Sequence, residues 1–94
     1  MNPPLFISEV RLLPARDSRD TLIHFASFLV NHQIFIGNVA VRLRPDGRSI
    51  RLTFPTKTLP NGVTLSCVHP ISREVNTIMT SAVAEKMQEL AQKM

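Results

Sequence analysis

The chain is poor in the residues that most catalytic and metal chemistry requires. It has one cysteine, no tryptophan or tyrosine, and three glycines that stand far apart. A lone Cys67 excludes an internal disulfide and suits a reducing cytoplasm. One Cys and three scattered His lack the spacing of a zinc site, so no metal is expected. Separated glycines exclude a Gly-rich phosphate loop. His24, His32 and His69 are the only imidazoles, and no acid is positioned beside Cys67 and His69 to complete a catalytic set. The expectation is a protein that is not an enzyme, with no cofactor and no small-molecule substrate. Cys67 reads as a small buried hydrophobe in an apolar strand, and His69 as a residue fixing the corner after it. Met1-Asn2-Pro3-Pro4-Leu5 lacks the basic and apolar regions of a signal peptide. No apolar run approaches a membrane span, so a soluble, cytoplasmic protein without membrane contact is expected. Five Phe as the sole aromatics make a thin supply for stacking many bases.

What is present is a basic excess and a strong alternation. The 94 residues, 44% hydrophobic, are read as one domain over 1–94. Folding so short a chain buries only about 60–65% of its unfolded surface, and association is a common remedy for the thin core that results. The net charge is +4. Residues 1–70 hold eight Lys/Arg against four Asp/Glu, and the remainder holds three of each, so the excess precedes the C-terminal segment. Seven of those eight are arginine. Both polyanion binding and plain solubility account for such a balance.

Turn signals and periodicity predict an α+β fold: about five antiparallel strands over 5–13, 21–30, 33–44, 49–54 and 63–68, then a long amphipathic helix over 72–92. Residues 15–20 read as a charged turn. Asp46-Gly47 suggests a two-residue hairpin loop. That loop pairs Pro45 with Arg48, Arg44 with Ser49, Leu43 with Ile50, Arg42 with Arg51 and Val41 with Leu52. One face then carries Val39, Val41, Leu43, Ile50, Leu52 and Phe54, and the other carries Arg42, Arg44, Ser49, Arg51 and Thr53. Arginines directly opposed in a sheet repel, by up to about 1 kcal/mol. An anion between them, splaying into water, or an acid such as Glu9 or one from a partner chain offsets this.

Asn31-His32 suggests a second two-residue turn. It sets Phe28 opposite Phe35, Leu29 opposite Ile34 and Ser27 opposite Ile36. Phe28, Val30 and Phe35 then share one face, while Phe25, Leu29, Ile34 and Ile36 share the other. One helix covers one face only, so Phe25, Leu29, Ile34 and Ile36 are the expected dimer interface, covered by a second copy. In the helix, Ser72 is the expected N-cap and Glu74 suits the first turn. Val75, Met79, Ala82, Val83, Met87, Leu90 and Met94 form the apolar stripe, with Ile78 beside it.

Two stretches add a family likeness: Phe54-Pro55-Thr56-Lys57-Thr58-Leu59-Pro60-Asn61-Gly62, and Val68-His69-Pro70-Ile71. With Glu9-Val10-Arg11-Leu12 and Asn31-His32-Gln33, they resemble in order and spacing the SpoVG family (stage V sporulation protein G, septation proteins), from about residue 7 to 90. The resemblance implies a small dimeric α+β protein with paired or exchanged strands or hairpins. It also implies binding of DNA and RNA, and regulation of gene expression, septation and sporulation-type processes. The family's binding loop supports Lys57 here. Thr58 departs from the usual arginine, and Ala40 from a position often basic in the family. Arg42, Arg44, Arg48 and Arg51 supply charge nearby, so the expected nucleic-acid-binding residues are Lys57, Arg51, Arg42, Arg44, Arg48 and Arg73. The alternative function is a non-catalytic protein–protein interaction module that binds no nucleic acid.

Overall fold

Alternating apolar residues flank the turn at Asp46, and they set the sheet. In a computed structural model describing residues 5–15 and 20–92, β1 (Ile7–Pro14), β2 (Leu22–Val30), β3 (Ile34–Leu43) and β4 (Ile50–Thr53) form one antiparallel sheet in that order. A separate two-stranded hairpin, β5 (Thr56–Thr58) and β6 (Thr64–Ser66), follows, and then the helix α1 (Arg73–Gln92). The α+β class and the C-terminal helix agree with the alternation and the stripe. Two sheet details differ. The expected fifth strand pairs with β5 instead of joining the main sheet, and β5 lies in what reads as a polar loop. Most of the expected charged turn, and Met94 of the stripe, lie outside the described residues.

The β3–β4 register is the one that the alternation predicts: Leu43 opposite Ile50, Arg42 opposite Arg51, Val41 opposite Leu52. Its loop is wider than two residues. Arg44 donates its N–H to the Ser49 carbonyl (2.9 Å) and accepts from the Gly47 N–H (2.9 Å). Pro45 has no N–H to give, so a Pro45–Arg48 pair cannot close the hairpin. Gly47 at φ 69 makes the reversal that a Cβ would disfavour. The Asp46 carboxylate accepts the N–H groups of Arg48 (2.9 Å) and Ser49 (3.0 Å) and the Ser49 hydroxyl (2.8 Å). These donors hold its pKa below the usual carboxylate range.

The β2–β3 hairpin is offset by one residue from its expected pairing. Val30 stands opposite Ile34, Leu29 opposite Phe35 and Phe28 opposite Ile36. The loop is 31–33, with Asn31 (φ 52) and His32 (φ 57) both left-handed, and the Gln33 N–H returns to the Val30 carbonyl at 3.0 Å. Asn31 also accepts the Phe6 N–H on its side-chain oxygen (2.7 Å) and donates its own N–H to the Phe6 carbonyl (2.7 Å), pinning the tip to the start of β1. The one-residue shift exchanges Ile36 and Phe35 between faces. Ile36 is 8% exposed, in the core, and so leaves the expected dimer interface; Phe35 is 68% exposed.

The core lies between α1 and one face of the sheet. Phe28, Val39, Val41 and Val83 are fully buried there, with Ile50, Leu52 and Met79 around them. Residue Ser72 caps the helix, its hydroxyl accepting the Val75 N–H at 3.2 Å, and Glu74 sits in the first turn. At 20 residues α1 is about 30 Å long, and it packs on both edge strands, β1 and β4. Among the described residues, no helix is long and apolar enough to cross a membrane.

Candidate functional site

Among the described residues, no layer covers the side of the sheet away from α1. Cross-strand pairing puts Arg11 beside Ser27, Leu13 beside Phe25, Leu29 beside Phe35, Phe25 beside Ala40 and Arg42 beside Arg51 on that side. Leu13 is 66% and Phe25 37% exposed. The expectation of apolar groups on both faces therefore survives the register correction, with Phe35 in the place of Ile36. Leu29 is half-buried on this side, whereas Ile34, paired with Val30, shares the side of Ile36, is exposed at the hairpin tip and also leaves the expected dimer interface.

The six expected basic residues do not form one patch. Arg44 and Arg51 line a common depression of about 260 Å³ with Thr21, Leu43 and Pro45. Arg42, opposite Arg51, is held by Asp20: its guanidinium donates to the carboxylate at 2.6 Å. This hydrogen bond, then the Thr21 N–H, keeps the Asp20 pKa below its ordinary value. The acid that relieves the arginine pair is thus Asp20, and not Glu9, which sits at a bulge of β1 with φ 50. Arg44 also donates Nε–H to the Ile50 carbonyl at 3.3 Å. Arg51 is exposed. Arg48 faces the other way, into a depression shared with Thr80, Ala84 and Met87 of α1. Arg73 opens the helix and borders a third depression with Leu52 and Phe54. Lys57 is on β5, opposite Leu65.

The β5–β6 hairpin stands apart from the rest. All six of its strand residues are exposed, and Val63 and Leu65 are each 47% exposed. Because β6 never enters the main sheet, Cys67 after it is exposed, contrary to the buried thiol expected from an apolar strand. At the corner after β6, the His69 Nδ1 lies 2.8 Å from the Ser66 hydroxyl. Among the described residues, no three His, Cys, Asp or Glu side chains gather as a metal site would require.

Arg11 was not among the expected site residues. It lines a depression of about 420 Å³ with Leu13, Phe25, Phe35, Gly37 and Asn38, and none of the described lining residues is acidic. The two-residue alternation of β1 carries the signal, since it places Arg11 and Leu13 on one face. The partner face was unreadable until the 31–33 loop was known. No protein-family model matches this chain, and no curated protein does.

Proposed function

We propose that the protein is a non-catalytic, cytoplasmic nucleic-acid-binding regulator of the SpoVG type, acting as a homodimer on gene expression and on septation- or sporulation-type processes. The observation that carries the reading is Arg44 and Arg51 around one depression that has no acid among its described lining residues, with Arg51 opposite the Asp20-held Arg42. Phosphates are the natural counter-charge for arginines so arranged, and such contacts give affinity with little sequence readout. Lys57, Arg48 and Arg73 are flanking contacts on other surfaces, reached by a strand that wraps the protein. For the dimer, the β5–β6 arm is the element we assign to pairing. A lone two-stranded hairpin is marginal in water, and Val63 and Leu65 are each left about half exposed on it.

The second reading, a protein–protein module, is favoured by the exposed Leu13 and Phe35. Gel-shift with heparin as competitor separates the two. Heparin strips a nucleic acid held by phosphate contacts and spares an apolar protein complex. A protein that shifts neither duplex nor single-stranded probes at low salt overturns the leading reading. Light scattering checks the dimer, and a monomer at micromolar concentration contradicts it.

A further inference from the structure

Resting on that nucleic-acid reading, we propose that the depression on the open face is a stacking site for an unpaired base, making single-stranded nucleic acid the preferred ligand. Phe35 on β3 and Phe25 on β2 line it together, Arg11 on β1 is at its side, and Phe35 is 68% exposed. Its volume of about 420 Å³ is in the range of small-ligand sites. A base offers a π-face to Phe25 and Phe35, and the attached phosphate answers Arg11. A sheet face presenting aromatics on neighbouring strands is a physical solution that recurs in single-strand recognition, because splayed bases stack where paired ones cannot.

Charge selects this occupant over a second copy of the chain. Two copies laid face to face bring Arg11, Arg44 and Arg51 of one against the same set of the other. Such like-charge contacts disfavour association, and the nearby Asp20 already holds Arg42. A polyanion meets the same arginines with attraction. Gly37 completes the site. A Cβ there would come within 2.8 Å of the Phe35 ring, so glycine lets that ring lie back against the strand.

The test compares the full chain with Phe35→Ala, Phe35→Leu and Gly37→Val, using an oligothymidylate, a duplex, and an abasic strand of equal phosphate count. The unmodified protein should bind oligothymidylate more tightly than the abasic strand. Phe35→Ala should weaken oligothymidylate binding about ten-fold, as loss of one stacked base does. Phe35→Leu, apolar but without a ring face, should lose nearly as much, and Gly37→Val should lose part by displacing the ring. Abasic-strand affinity should stay constant throughout, and circular dichroism of each variant should stay native. Equal affinity of the unmodified protein for oligothymidylate and abasic strand overturns the stacking site while leaving phosphate binding intact. Failure of every strand to bind overturns both readings. If Phe35→Ala halves the particle mass in light scattering and leaves oligothymidylate affinity unchanged, the occupant is a second copy and the proposal is wrong.

Discussion

The two faces of the four-stranded sheet are built from the same strands and treated in opposite ways. Under α1, Phe28, Val39 and Val41 are fully buried, and none of the described buried residues is charged. On the other face Phe25, Phe35 and Leu13 are exposed among Arg11, Arg42 and Arg51. Folding alone accounts for the first face, since burial of that kind is what stabilises so short a chain. It does not account for the second. Apolar rings held in water beside arginines contribute little to stability, which is why the open face is the place to look for binding.

Truncation should break the symmetry between the faces most sharply. Phe28→Ala should cost about 3–5 kcal/mol in urea denaturation, a large share of a small domain's stability, through lost burial and a residual cavity. Phe35→Ala should stay within about 0.5 kcal/mol, as an exposed side chain does. Equal costs would mean that the open face is structural. The helix that makes one face a core depends on its cap, so Ser72→Ala should cost about 1 kcal/mol by the same measurement, with polyanion affinity unchanged.

On the open face the sign reverses, and loss of a carboxylate should help. Asp20→Asn frees Arg42, so polyanion affinity should rise and the salt slope should steepen by about 0.9 on duplex, as for one added phosphate contact. An unchanged slope in filter binding would mean that Arg42 points away from the ligand. The smallest effect is expected at the β3–β4 loop. The folded-state pKa of Asp46 is depressed, so its contribution is present above the unfolded-chain value and is lost as pH falls through the lower folded value. Amide exchange at Ser49 should therefore be flat around neutrality and quicken, relative to other loop amides, only on the acid side of the usual carboxylate range.

The two hairpins show what was legible in the residues and what was not. At Leu43 and Ile50 the alternation on both strands admits one register, and the wider loop leaves it intact. At Asn31 nothing in composition separates a two-residue loop from a three-residue one, because apolar residues run on both faces of β2 and β3. The loop adopts two left-handed residues in succession, and the register moves by one. That single step moved Ile36 into the core and Phe35 out of it. The Thr56-Lys57-Thr58 strand has no apolar alternation to announce it, and with it went the position of Cys67. The helix was legible because its stripe and its Ser72 cap agree with each other.

The direct test of the central claim is the salt dependence of binding for the unmodified protein and an Arg51→Ala/Lys57→Ala double variant. On duplex DNA, log K should fall linearly with log salt at about 0.9 per neutralised phosphate, and the double variant should bind more weakly with a shallower slope. Binding that ignores salt, or a double variant that matches the unmodified protein at every salt concentration, contradicts the account.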